Sequence, residues 1–595
     1  MTHIAGEKLL SGPPDRVWGL LTDAEELGRA MPGAGKVEPA ADGARRYRTR
    51  ISLAVGPVKD VYEGVLGYED ERPPTACTIV VETKGKAGRL NGRGVMTLEP
   101  GERDETVVRY EGEFKVSGPV AAVGQRMIAG VARKTIERTL DGLGARLGQP
   151  DLPALAETRP QVKRETAFWH PFANMAQVAG NELVLVSGEG CEVADREGRR
   201  YLDATAGLWF CNVGYGRDEI AAAVERQLRE LPAYSSFGVY CNEPALALAE
   251  RVAQLAPMVD AKVFLTSGGS DAVETAAKLA RRYWSAVERP EKRILIARRF
   301  AYHGMHAYGT SLGGISANAE GLGAIVPDCV HVDANSVDAL AAELDRIGAG
   351  NVAAFIGEPV VGAGGVIPPP DGYWPGIAEL CRERDVLLID DEVITGFGRL
   401  GRWFGCERFD VEPDMIVFAK GVTSGYIPVG GVIVGRRVQE PFWTGDGLWF
   451  RHGYTYSGHA AGCAAALANL DILERENLVE RVSELEPAFA ERVHSLGDHP
   501  LVGETRAIGL LGAVEIEPET LEREPALIEE VILFAREEGV LTRSLRGSAI
   551  HLSPPFMITS EEIDAIVQGL RRALDRAERR LDSEQPSTRM TRLRD

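Results

Sequence analysis

A lysine at the end of a buried strand can take hold of a carbonyl carbon, and Lys420 has that setting. It closes the apolar run Met415-Ile416-Val417-Phe418-Ala419 and precedes the turn Gly421-Val422-Thr423-Ser424-Gly425. In an open α/β sheet, ligands bind at the carboxyl ends of the strands. Partial desolvation lowers an amine's pKa and leaves its lone pair free to attack carbonyls. Most strand-end lysines only reach out to water, so a second group has to sharpen the reading. One strand earlier, Val386-Leu387-Leu388-Ile389 runs into Asp390-Asp391-Glu392-Val393. A carboxylate buried against a pyridine nitrogen raises the pKa of that nitrogen and makes the ring an electron sink. An amine for an aldehyde and a carboxylate for a ring nitrogen are what pyridoxal phosphate requires.

Two more segments extend the set. Thr266-Ser267-Gly268-Gly269-Ser270-Asp271 follows a strand and opens a helix with Ala272, Ala276, Leu279 and Tyr283 on its inward face. Glycines let backbone N–H groups turn toward an anion, and a helix start adds partial positive charge. Ser270 either donates its hydroxyl to a phosphate or caps the helix. Phe300-Ala301-Tyr302-His303-Gly304 follows another strand. The Tyr302 ring can stack on a heteroaromatic, or it is a packed tyrosine before a turn glycine. His303 has no partner at metal-ligand spacing, so no metal is assigned. Val393, two residues beyond Asp391, points the same way along an extended chain and can pack on a ring face.

The elements that must position these groups alternate. Strand-like runs at Val263–Leu265, Ile294–Ala297, Val352–Ile356, Val386–Ile389 and Met415–Ala419 are separated by amphipathic helices. That pattern predicts a largely parallel sheet covered on both faces. Residues 4–147 read differently: a helix from Pro14 to Leu27, alternating strands near 47–53, 78–82 and 106–110, and a long helix from about Val120 to Leu147. These predict an α+β grip around a core. Between Gly148 and Thr166 lie three prolines, many charges and no sustained period, the marks of a linker.

Composition narrows the class. A chain of 595 residues is long enough for three or four compact units. A formal charge of −20 argues against nonspecific nucleic-acid binding and against adsorption to anionic membranes. The eight cysteines are scattered with no Cys-x-x-Cys pair, which fits reduced thiols in a cytoplasmic protein. The first residues lack the pattern of a signal peptide, and no apolar stretch is long enough to span a bilayer.

The order and spacing of the motifs resemble class III aminotransferases of fold type I, the ω-aminotransferases. The nearest branch is the amine/β-alanine/taurine:pyruvate one. The resemblance covers 167–578 and rests on His170-Pro171-Phe172, Gly207-Leu208-Trp209, Ser267 to Glu274, Tyr302-His303-Gly304, Glu358-Pro359-Val360, Asp391 to Gly398, Ala419-Lys420-Gly421 and Thr455-Tyr456-Ser457-Gly458-His459. It implies an α/β large domain at 216–474, with a mostly parallel sheet that binds pyridoxal phosphate. A discontinuous α+β small domain would take 167–215 and 475–580, and a flexible tail 581–595.

Carried over by position, the resemblance makes Lys420 the cofactor-binding and catalytic amine. Asp391 becomes the partner of the ring nitrogen, Tyr302 and Val393 the two ring faces, Gly269 and Ser270 the phosphate site, and His303 and Glu358 further cofactor neighbours. Thr455 would reach the phosphate of a neighbouring subunit, which implies at least a homodimer. Trp209 and Phe237 match substrate-pocket positions, and Arg543 matches an arginine that binds the acceptor's carboxylate. The loop carrying it is a residue longer than usual, so Arg546 competes. The implied reaction moves an amino group from an amine or ω-amino acid to an oxo acid. After Glu358-Pro359, the glutamate-using branch reads Gln-Gly-Glu-Gly-Gly. This chain has Val361-Gly362-Ala363-Gly364-Gly365, which favours pyruvate over the alternative, 2-oxoglutarate.

Residues 1–147 resemble the carbon monoxide dehydrogenase CoxG family, within the START/Bet v 1-like (SRPBCC) superfamily. This rests on Pro14-x-x-x-Val17-Trp18, Met31-Pro32-Gly33, Val55-Gly56-Pro57-Val58-Lys59 and Gly85-Lys86-Ala87-Gly88. It implies a helix-grip fold with an apolar cavity under its long helix, in a family linked to quinone or lipid-like ligands and to membranes.

Overall fold

The computed structural model describes residues 2–23, 27, 30, 31, 38–40, 45–55, 58–85, 88–101, 105–118, 125–147, 167–323, 325–445 and 447–584. The chain forms two compact units, Met1–Met175 and Ala176–Asp595.

The first unit is built on long strands whose side chains alternate between core and water. Seven strands, β1 (Thr2–Ser11), β2 (Glu38–Pro39), β3 (Arg46–Val55), β4 (Val58–Arg72), β5 (Ala76–Gly85), β6 (Gly88–Pro100) and β7 (Glu105–Ser117), form one antiparallel sheet in the order β1-β7-β6-β5-β4-β3-β2. In β7, Thr106 and Val108 are buried while Arg109, Glu111 and Glu113 face water, as a period of two demands. Helix α1 (Pro14–Thr22) opens on a proline, which suits a first turn. It stops before the expected Leu27 because Asp23 is extended and the Thr22 hydroxyl donates back to the Trp18 carbonyl; residues 24–26 lie outside the described residues. Helix α2 (Gln125–Leu147) runs along β1 and also touches α1. Its Leu140 and Leu143 join Val17, Trp18, Leu21 and Met96 in the core. The expected first residues of that helix, 120–124, and the linker at 148–166 lie outside the described residues, as do the side chains of Met127, Ile128 and Val131.

In the second unit the site-bearing sheet has seven strands: β8 (Lys262–Thr266), β9 (Ile294–Arg298), β10 (Cys329–Val332), β11 (Val352–Gly357), β12 (Leu387–Asp391), β13 (Met415–Phe418) and β14 (Gly430–Val434). Their order is β8-β14-β13-β12-β11-β9-β10. From β13 to β10 every neighbour is parallel, and β14 is antiparallel to both β8 and β13. Every residue of β11, β12 and β13 is buried, which explains their unbroken apolar runs. Helix α3 (Gly269–Ala286) starts directly behind β8 and buries Ala272, Ala276, Leu279 and Tyr283, the face expected from the sequence.

A second, antiparallel sheet joins β15 (Val502–Ile508), β16 (Leu511–Ile516), β17 (Ser544–Leu545) and β18 (Ala549–Leu552) in the order β15-β16-β18-β17. A third pairs Arg200–Asp203 with Val540–Leu541, so early and late segments of this unit share a sheet. The last helix, Ser560–Glu584, runs past the boundary expected at 580 because Ala577 and Leu581 still pack on the core. Among the described residues, no helix is long and apolar enough to cross a membrane.

Candidate active site

β12 and β13 lie side by side with Asp391 opposite Val417, so Asp391 and Lys420 emerge at the same end of neighbouring strands. Lys420 has φ 42, an unfavourable left-handed value for a residue with a side chain, where the chain leaves β13 for a short 3₁₀ turn. Burial pulls its pKa down to about 8, and the negative charges of Asp391 and Glu358 oppose that pull. Asp391 is 3% exposed. Its Oδ2 lies 2.7 Å from His303 Nδ1, and its Oδ1 accepts the Val393 N–H at 3.1 Å. His303, for which the sequence offered no partner, therefore orients this carboxylate; its Nε2 is buried with no hydrogen-bond partner among the described residues.

Asp390 belongs to a different environment. It is buried with Glu392, and its pKa is raised well above the usual range by burial and then by the charges of Glu392 and Asp391. Glu392 is bonded by the backbone N–H groups of Gly405 and Cys406, both at 2.7 Å. Glu358 accepts the N–H groups of Tyr302 at 3.1 Å and Gly362 at 2.8 Å, and burial raises its pKa.

The start of α3 carries no side-chain cap, which leaves first-turn N–H groups for another acceptor. Ser270 is the second residue of the helix and so is not its N-cap; its Oγ accepts the Met305 N–H at 3.2 Å. Gly304 has φ 85, and a Cβ there would stand 2.5 Å from Ser270 Oγ, so the approach of the two loops requires glycine. A Cβ on Gly269 would stand 3.1 Å from Val393 Cγ1, which puts Val393 against the helix start. Burial and the Asp391 charge raise the pKa of the Tyr302 hydroxyl, and Arg543 opposes them, so Tyr302 faces the same group of charges.

Trp209 gathers the other side. It is 3% exposed, follows a kink at Gly207 (φ 67), and takes Lys420 Nζ at 5.4 Å and Arg543 Cζ at 5.1 Å from its ring centroid. Arg546 diverges: its φ of 50 turns it over the Phe300 ring at 4.5 Å and toward Glu515 at 3.8 Å. His551 of β18 was not anticipated. Its ring lies 4.3 Å from that of Trp209, its Nε2 lies 2.8 Å from Ser553 Oγ, and burial followed by the charges of Arg543, Arg399 and Lys420 holds it neutral. Its signal was a lone histidine in the apolar strand Ala549-Ile550-His551-Leu552. Phe237 and Thr455 are exposed, on segments tied together by Ser236 Oγ–H to the Ser457 carbonyl at 2.8 Å. Among the described residues, no hydrogen bond, ion pair or ring contact links either of them to Lys420, Asp391 or Trp209.

An amine of lowered pKa, an oriented carboxylate and an uncapped helix start beside a hydroxyl fit a phosphate-bearing pyridine aldehyde. Comparison with known proteins points the same way. Residues 175–574 match the family model described as aminotransferase class-III, and residues 6–148 match that of carbon monoxide dehydrogenase CoxG. The putrescine–pyruvate aminotransferase of Pseudomonas aeruginosa is 40% identical over 430 residues, covering 68% of this chain and 93% of that one. The β-alanine–pyruvate aminotransferase of the same organism is 37% identical over 433 residues, covering 69% and 95%. A PLP-bound amine transaminase from an uncultivated Pseudomonas species superposes with a TM-score of 0.67 at 37% identity, covering 70% of this chain and all of that one.

Proposed function

The chain belongs to the class-III aminotransferase family, and from that premise we propose that Lys420, Asp391 and the start of α3 form the pyridoxal-phosphate site of a transaminase that passes an amine's nitrogen to pyruvate. The observation that carries the residue assignment is the emergence of Lys420 and Asp391 at the same end of adjacent parallel strands.

When bound, pyridoxal phosphate supplies an aldehyde carbon for the nitrogen and a ring that spreads the charge left by a departing proton. Lys420 Nζ would hold that aldehyde in the resting chain and, when free, would be the base that takes the proton from the substrate's nitrogen-bearing carbon and carries it on Nζ. Asp391, oriented by His303, keeps the ring nitrogen protonated. Ser270 and the first-turn N–H groups of α3 take the phosphate, and Tyr302 and Val393 hold the ring faces. Trp209 forms an apolar wall for the amine's substituent. Arg543, beside Lys420 on that wall, takes the acceptor's carboxylate, a task for which a planar guanidinium suits a two-pronged bond. Its position over Trp209 favours it over Arg546, which is engaged with Phe300 and Glu515.

Thr455 and Phe237 serve the site of a second copy in this reading, so the active form is a homodimer. The exposed aromatic residues Tyr234, Phe237, Tyr240 and Tyr456 on their two segments support it. The front unit is a binding module for an apolar ligand. Eight unpaired thiols fit a reducing, cytoplasmic setting.

The test is a panel of amine donors against pyruvate and 2-oxoglutarate, with Arg543→Leu beside the parent chain. Pyruvate should be the better acceptor by tenfold or more. Arg543→Leu should raise KM for pyruvate by about 10–100-fold, the loss of one charged hydrogen-bonded pair, with little change in KM for an uncharged-tail amine. Equal rates with 2-oxoglutarate would refute the acceptor, and an unchanged pyruvate KM would refute the role of Arg543.

A further inference from the structure

We propose that the cavity of the front unit takes the uncharged carbonyl partner of amino transfer, an apolar ketone or aldehyde, and excludes the corresponding protonated amine. This rests on the transaminase reading of the second unit. The cavity lies between the sheet and α2, has a volume of about 220 Å³, and is lined by Leu66, Ile79, Val81, Met96, Phe114 and Ile136 among others. A cavity of about 150 Å³ admits benzene, so this one has room in proportion for a substituted ring of roughly nine non-hydrogen atoms.

Its existence has a sequence cause. Gly92, Gly94 and Gly112 occupy inward positions of β6 and β7, where Met96, Val108 and Phe114 place side chains in the core. Gly94 pairs with Gly112, and a Cβ on Gly112 would stand 2.7 Å from the Gly94 Cα, so no side chain fits at Gly112, and Gly92 and Gly94 leave the gap unfilled because they carry none. Protein interiors are otherwise close-packed.

The charge pattern decides what fits. Arg93, Glu111 and Glu113 also border the cavity, but they alternate with the inward glycines and direct their charged ends away from it. Arg93 pairs with Glu69 and Asp70, Glu111 bonds His3, and Glu113 is exposed. Among the described lining residues none turns a carboxylate into the cavity, so an ammonium inside would be buried unpaired, a heavily disfavoured state. A carbonyl oxygen needs a single donor at most, and Tyr110 is among the lining residues, while the Thr139 hydroxyl already donates to the Thr135 carbonyl at 2.8 Å. Burial and the Glu137 charge keep the Tyr110 hydroxyl protonated and able to donate. Amino transfer interconverts a cation and a neutral carbonyl compound, so a site of this kind withdraws one side of the reaction only.

Calorimetric titration of the full, cofactor-loaded chain at neutral pH with acetophenone, and with the amine that transamination makes from it, tests this. Ile79→Trp fills the cavity from the sheet, and Ile136→Phe fills it from α2. The difference between the parent and filled chains isolates binding in the cavity. The expected result is ketone affinity at least tenfold weaker in both filled chains, amine affinity unchanged by filling, and an unchanged rate with a small amine and pyruvate. Ketone affinity that survives filling in either correctly melting variant overturns the proposal, as does amine affinity that falls in step with the ketone's. Absence of amino transfer in the parent chain would instead refute the transaminase reading, and the binding difference would stand apart from it.

Discussion

Lys420 can take a carbonyl only when neutral, and its surroundings set how often it is. An ordinary lysine, with a pKa near 10.5, is neutral about once in three thousand at pH 7. With burial bringing the value to about 8, roughly one chain in ten carries the free amine. The sign follows from the direction. The group is a base with a depressed folded-state pKa, so the neutral form grows as pH rises through about 8. Folded stability also rises with pH between that value and the unfolded 10.5, because there the unfolded chain binds the extra proton. Capture of pyridoxal phosphate by the cofactor-free chain should therefore quicken about tenfold from pH 7 to 9 and then level off. Stopped-flow absorbance of the bound chromophore measures it, and Lys420→Ala should show neither capture nor dependence. A rate still climbing at pH 10 would mean that the amine is hydrated as on a free lysine.

At the scale of elements, the proposed phosphate site at the start of α3 depends on Gly304, which lets a second loop approach Ser270. An alanine there would meet Ser270 Oγ and would also be strained at φ 85. Gly304→Ala should weaken cofactor retention at least tenfold and cost about 1–3 kcal/mol in folding, read by dialysis against phosphate and by urea unfolding. Retention equal to the parent chain would remove Ser270 from the phosphate site. Much of this architecture was legible in the sequence. The runs that became β11, β12 and β13 could be read closely because burial on both faces demands apolar continuity. β14 was not read as a strand, since its glycines conceal it. Yet Gly430 and Gly431 are there because Gly268 and the Phe418 ring approach too closely for a Cβ. The sequence itself offered only an acidic pair, and the choice of Asp391 over Asp390 came from the family resemblance; the His303 bond to Asp391 was not legible. Nor was the packing of the His551 ring against Trp209, because such contacts join segments far apart along the chain.

At the scale of the molecule, the second unit holds its site together through buried contacts between its early, middle and late segments. Arg399 is fully buried and donates to the Leu510 carbonyl at 3.3 Å, the Pro554 carbonyl at 2.6 Å and Asn212 Oδ1 at 2.7 Å. Asn212 in turn donates to the Phe397 carbonyl at 3.1 Å. Trp209, the Asp391 loop and the strand of His551 are thus fixed by one guanidinium, and the proposed catalytic group forms only when the whole unit folds. The segments of Phe237 and Thr455 contrast with this interior: Val239 is 93% exposed and Tyr240 is 58% exposed. Apolar surface of this kind on a folded unit marks an association face. In the proposed homodimer, a second copy covers it and receives Thr455. The double substitution Val239→Asp with Tyr240→Asp should shift sedimentation at micromolar concentration from dimer toward monomer. Cofactor retention should fall with it, while the melting transition of the separated chain stays cooperative. A variant that still sediments as the parent does would place the interface elsewhere and leave Thr455 without its role, whatever its activity.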